Sequence, residues 1–128
     1  MNRIQRRRTH GWRKPEGVIC INRGTKWGNP MKIRPWKGID FGCIYVQDFT
    51  DRKLWHRTNF YGDVPDMLVG FKKMMEGVQF GDKHLQVWSD YLSKLDLSEL
   101  EGHDLACFCP IEKPCHGDVY IELLNKNK

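Results

Sequence analysis

The sequence predicts a small single α/β domain, with a mainly parallel sheet flanked by helices and a C-terminal strand–loop–helix. Three observations predict it. Two short apolar runs, Val18-Ile19-Cys20-Ile21 and Leu105-Ala106-Cys107-Phe108-Cys109, have the make-up of buried strands. Between them lie two stretches whose apolar residues recur at helical spacing, and a third stretch follows the second run. Strand, helices, strand, helix is an order that favours parallel pairing. The 128 residues suit one domain. They divide into a basic N-terminal arm over 1–15 and one α/β domain over 16–128, in which 32–62 read as an irregular insertion.

The first run follows Pro15 and Gly17 and opens into the polar segment Asn22-Arg23-Gly24-Thr25-Lys26-Trp27-Gly28-Asn29-Pro30. Residues 31–62 scatter Trp36, Phe41, Tyr45, Phe49, Trp55 and Tyr61 among glycines and charges, so one or two strands or an irregular excursion fit equally. Asp63-Val64-Pro65-Asp66 then offers a cap, an early proline and an acidic first turn. Val64, Leu68, Phe71 and Met75 make one helical stripe, and Gly77 is placed to end it. A second helix starts near Asp82 and aligns Leu85, Trp88, Leu92 and Leu95. Residues 97–101 add a turn closed by Gly102. After the second apolar run, a helix from Cys115 to about Leu124 buries Val119, Tyr120, Leu123 and Leu124, with Lys126 and Lys128 after its negative end.

Charge and cysteine content narrow the function classes. The net charge is +5, but residues 1–15 carry Arg3, Arg6, Arg7, Arg8, Arg13 and Lys14 and no acid, so the rest of the chain is close to neutral. Such an arm, with Arg6, Arg7 and Arg8 at its centre, is suited to phosphates of nucleic acid or nucleotide. No apolar run is long enough for a membrane span or an export signal, which points to the cytoplasm and away from a membrane partner. Five cysteines without an export signal speak against a disulfide framework and for thiols, a metal site or a reactive cysteine.

Two constellations carry chemistry. In the first, Arg23, Thr25 and Lys26 provide cationic and hydroxyl donors. Gly24 and Gly28 permit close backbone approach, Trp27 offers a flat face, and Asn29 a donor and an acceptor. The segment is neither a Walker loop nor a dinucleotide fingerprint, and it reads equally as a structural turn with Trp27 folded into the core. The second runs from Cys107 to Asp118 and reads in three ways. Cys107, Cys109, Cys115 and His116 are zinc-ligand types, but Cys-x-Cys followed by adjacent Cys-His is a poor match to the usual knuckles. Cys115, His116 and Asp118 at a helix start would make a polar active site, with His116 as acid/base. The plainest reading is packed, inert side chains. His56, His84 and His103 have no partner spacing and read as surface residues.

These two boxes, Thr25-Lys26-Trp27-Gly28-Asn29-Pro30 and Ala106-Cys107-Phe108-Cys109 with Pro114-Cys115-His116-Gly117-Asp118-Val119, resemble those of a family of small phage and bacterial proteins classed as domain of unknown function 4326. The resemblance covers residues 3–31 and about 98–124. Gly24, Met31 and Phe108 stand where that family usually has proline, phenylalanine and tryptophan. It implies a phage or prophage source, hence a host cytoplasm, and a site shared by the two boxes, without supplying a reaction.

The combined expectation is one pocket at the carboxyl ends of two parallel strands, taking a nucleotide, nucleoside or nucleic-acid base. Arg23, Thr25, Lys26, Trp27 and Asn29 would bind it, and Cys115, His116 and Asp118 would act on it in a transfer or hydrolysis, with no metal. One alternative is a nucleic-acid-binding module with zinc on Cys107, Cys109, Cys115 and His116. Another is a phage factor that inhibits a host protein through the aromatic-rich middle, Trp36 to Tyr61.

Overall fold

The computed structural model describes residues 2–126, so Lys128 lies outside the described residues. The chain divides into two compact units, one made of the residues up to Gly28 together with those from Asp96 onward, the other of Asn29–Leu95.

In the first unit three short strands form a parallel sheet. Strand β1 (Arg3–Gln5) and strand β2 (Ile19–Cys20) flank strand β6 (Leu105–Cys107), with Arg3 and Ile19 both opposite Leu105. The central strand is buried throughout, as a parallel strand covered on both faces must be. Helix α3 (His116–Lys126) buries Val119, Tyr120, Leu123 and Leu124, the stripe read from the sequence. A 3-10 turn (Leu97–Leu100) is capped by Asp96 and buries Leu100, and Gly102 follows at positive φ.

In the second unit the sheet is antiparallel. Strands β3 (Met31–Pro35), β4 (Gly42–Gln47) and β5 (Trp55–Gly62) lie in sequence order, with Met31 opposite Val46 and Val46 opposite His56. Helix α1 (Val64–Met75) starts with a capping box between Asp63 and Asp66, and helix α2 (Lys83–Leu92) is capped by Asp82. They bury Leu68, Phe71, Met74 and Met75, and Leu85, Trp88 and Leu92. Gly77 follows α1 at φ +77°, where a left-handed residue ends a helix. Among the described residues no helix is long and apolar enough to cross a membrane.

Two expectations are corrected. The architecture is mixed α/β, but only one of its two three-stranded sheets is parallel. Residues 32–62 are not irregular; they supply nearly all of an antiparallel sheet. Their alternation is hidden because the outer face carries rings covered by cations. Lys32 Nζ sits 4.1 Å over the Trp55 ring, and the Arg34 guanidinium 5.2 Å from the Tyr45 ring. Trp36, Phe41 and Tyr61 cluster at one end of the sheet and stay exposed.

Gly42 sits where β4 passes β3 too closely for a side chain, since an added Cβ would lie 2.7 Å from Pro35 Cα. Gly42→Ala should therefore destabilise the protein by about 1–3 kcal/mol or more, read as a lower urea midpoint at unchanged slope.

Candidate metal centre and basic groove

Strand β6 delivers Cys107 to the edge of the parallel sheet, and Cys109 follows two residues on. The loop over 110–114 then folds back so that Cys115 returns to the same place. The three sulfurs lie within 4.8 Å of one another, with Cys107 Sγ and Cys115 Sγ 3.0 Å apart. This geometry can hold a metal ion, and it removes the spacing objection raised from sequence. Linear spacing of ligands matters only until a loop closes it.

Arg3 shapes that loop. Its side chain is 7% exposed. Nη2 donates to the carbonyls of Pro110, Ile111 and Lys113 at 3.3, 2.5 and 2.6 Å, and Nε lies 3.3 Å from Asp118 Oδ1. Asp118 Oδ2 accepts the Cys115 amide at 3.1 Å, so Asp118 serves the start of α3 and pairs with Arg3. Gly117 lets Ile21 and Arg3 pack closely on the start of α3, since an added Cβ would stand 2.9 Å from Ile21 Cδ1 and 3.1 Å from Arg3 Cδ and those side chains would have to shift.

His116 is 6% exposed and Cys115 2%. The imidazole Nε2 lies 2.6 Å from the Ile21 carbonyl, which can only accept, so Nε2 carries the hydrogen. In the neutral ring Nδ1 then presents a lone pair, and it lies 3.5 Å from Cys115 Sγ. The thiols share charge unequally. Bonds from Cys107 and Cys109 hold the Cys115 thiol far below its ordinary value. Bonds to Cys107 and Cys115, with burial, push Cys109 far above it. Cys107 is pulled down by Cys109, but Cys115 and burial carry it upward overall. Burial opposes the Arg3 charge, yet Cys115 and Asp118 outweigh it and raise its value.

The other box is built differently from what the sequence suggested. Thr25 Oγ1 donates to the Asn22 carbonyl at 2.8 Å and accepts the Trp27 amide at 3.3 Å, holding a turn. Trp27 is 4% exposed and meets Tyr120 edge to face at 5.8 Å, while the Tyr120 hydroxyl donates to the Trp27 carbonyl at 2.7 Å. Trp27 is thus a core residue and not a platform for a base. Asn29 is buried in the second unit, where its Oδ1 accepts the Met31 amide at 2.9 Å. Lys26 is exposed and paired with Glu99 at 2.9 Å. Arg23 is exposed, within electrostatic reach of Cys109. The two boxes do converge, since Trp27 and His116 both pack edgewise on Tyr120, but they meet in packed core and not in an open pocket.

The opening lies beside them. Arg6, Arg7, Arg8 and Lys14, with Trp12 and Phe108, line most of a cavity of about 560 Å³, and none of its lining residues is acidic. The Arg8 and Arg6 guanidiniums stand 4.2 and 5.1 Å from the Phe108 ring centre. The Arg6 amide donates to the Cys107 carbonyl at 2.6 Å, and its Nη1 to Asn22 Oδ1 at 3.0 Å. The sequence signalled the three arginines, but not Phe108 as the groove wall or Arg3 as a buried anchor.

A family described as Domain of unknown function (DUF4326) matches residues 4–126. The chain belongs to this family. The DUF4326 match runs through both units, including the middle segment that the two boxes alone do not cover. No curated protein and no solved structure matches the chain.

Because Tyr120 joins the boxes of this DUF4326 protein, Tyr120→Phe isolates one bond. It leaves the buried Trp27 carbonyl unpaired and should lower unfolding free energy by about 1–3 kcal/mol in urea titration.

Proposed function

We propose that this protein is a zinc-fastened module that binds single-stranded nucleic acid through its N-terminal arm. The observation that carries the reading is the groove: four cationic side chains and two aromatic rings around one cavity with no carboxylate in its lining. Cations suit the phosphate backbone, and rings suit stacked bases. Phe108 stands between Cys107 and Cys109, so whatever fixes those cysteines fixes a wall of the groove.

Zinc is the ion that fits. Thiolates and imidazole are its usual ligands; the three sulfurs already meet, and His116, beside Cys115, would complete a set of four by closing on them. Bond lengths of about 2.3 Å to sulfur and 2.0 Å to nitrogen put those atoms roughly 3.6 Å apart in a tetrahedron. Cys115 Sγ and His116 Nδ1 are at 3.5 Å, while the Cys107–Cys115 pair would open from 3.0 Å. The Nε2–H bond to Ile21 is the outer-shell support that metal-bound histidines use. Three thiolates and one neutral imidazole leave a zinc site with one negative charge, which the buried Arg3 cation offsets. The burial of Cys115 and His116 speaks against those two as catalytic groups, because substrate would have no access to them, and Asp118, though exposed, is engaged with Arg3 and the Cys115 amide.

Two measurements test this. Purified protein should retain about one zinc per chain through dialysis, and Cys109→Ser should lose it along with several kcal/mol of stability. Wild-type protein free of tightly held zinc would sink the metal part. Separately, the log of affinity for an oligonucleotide should fall steeply with log salt. Neutralising Arg6, Arg7 and Arg8 together should flatten that slope by about two to three units, and an unchanged slope would reject the arm as the contact.

A further inference from the structure

The second unit brings together three residues that are far apart in sequence. Asp48 follows β4, His56 lies in β5, and His84 is in the first turn of α2. Each offers one ligand atom, and these atoms lie within 4.8 Å of one another. We propose that Asp48, His56 and His84 form a second metal site, taking a borderline divalent transition-metal ion on two imidazoles and one carboxylate.

The carboxylate is already oriented. Asp48 Oδ2 accepts the Thr50 amide at 3.1 Å, the Thr50 hydroxyl at 2.9 Å and the Asp51 amide at 2.8 Å. That leaves Oδ1 for His56 Nε2, at 2.7 Å. The Asp51 amide, His56 and Thr50 together hold the Asp48 carboxyl well below the usual carboxylate range, so it is in the anionic form a metal needs.

The two imidazoles lie side by side, and because their nitrogen lone pairs lie in the ring planes, an ion shared between them requires one ring to turn. The His56 and His84 rings are stacked, 3.5 Å between centres and 8° from parallel. The donor atoms are half-buried, with the Asp48 and His56 side chains 20% and 23% exposed, so an ion can reach them from water.

The donor set selects the class of ion. Imidazole suits zinc, copper, iron and nickel, whereas calcium and magnesium call for oxygen ligands throughout. Three protein ligands leave at least one position for water or another donor, which distinguishes this site from the closed sulfur set in the other unit. The proposal stands on the second unit alone and does not depend on zinc at the cysteines or on nucleic-acid binding.

Cobalt(II) is the probe, because thiolate coordination adds a charge-transfer absorption that nitrogen and oxygen ligands lack. Full-length protein, first stripped of metal, would be titrated and the bound ion counted. We expect an equivalent that binds without the thiolate band. It should weaken by at least about tenfold in both His84→Ala and His56→Gln, and Thr50→Ala, which removes one of the three bonds to Asp48 Oδ2, should weaken it by a smaller factor. Circular dichroism of each variant would verify the fold. Cys109→Ser should remove the thiolate band and leave this equivalent in place. The proposal is overturned if wild-type protein shows only thiolate-coordinated cobalt, or if the second equivalent persists unweakened in either folded histidine variant. In that case the three side chains are a hydrogen-bonded pair with a stacked ring. Absence of the thiolate band would count against the cysteine site alone.

Discussion

The buried guanidinium of Arg3 is the interaction on which the first unit depends. A cation this deep is tolerated only where its hydrogens and its charge are met. Arg3 meets three carbonyls of the 110–113 loop and the Asp118 carboxylate, all more than 100 residues away in sequence, and its charge is felt by Cys115, while its buried Nη1 has no hydrogen-bond partner among the described residues. The carbonyls belong to the connection between β6 and α3, Cys115 ends it, and Asp118 lies in the first turn of α3. Without the cation the Ile111 and Lys113 carbonyls would lose this partner, and less would hold the loop folded back. Cys115 would then not return to Cys107 and Cys109. The same residue starts β1, from which the basic arm runs on, so the position of Arg6 over Phe108 follows from where Arg3 is held.

Charge is distributed in the first unit by depth. The thiol cluster concentrates negative charge on Cys115 and answers it with one buried arginine. The exposed Lys26–Glu99 pair, by contrast, lies in high dielectric and contributes little. Arg6, Arg7 and Arg8 of the arm have no acidic neighbour in the groove they line, so their charge is available to a ligand.

How far the sequence could be read depended on whether the deciding contacts were local. Helices α1, α2 and α3 were legible because caps, stripe and stop lie within one stretch, as with Asp63, Leu68, Phe71 and Gly77. Strand β1 was not, since three residues with one apolar side chain become a strand only by pairing with Leu105 to Cys107. The antiparallel sheet was hidden by aromatic rings on its outer face under Lys32 and Arg34. The cysteines were legible as ligand types, but their meeting depends on Arg3, which reads in sequence as one more basic residue of a tail. His56 and His84, 28 positions apart, gave no spacing signal because strand and helix bring them together.

The Trp-Gly-Asn-Pro box shows why residue types that look like a binding loop need a placement before they are given a role. Trp27 fills the core and uses its carbonyl to bind Tyr120. Gly28 is present because an added Cβ would stand 2.8 Å from Arg23 Cα, and Asn29 spends its side-chain oxygen on the next turn. An amide, a glycine and a large ring are as useful for turning a chain tightly against a core as for holding a ligand. What separates the two uses is whether a donor faces solvent or another part of the chain. By that measure the box is architecture, and the capacity to bind passes to the arm and the Phe108 ring beside it. There the cations still face an open cavity, and the ring between two cysteines gives them a fixed surface.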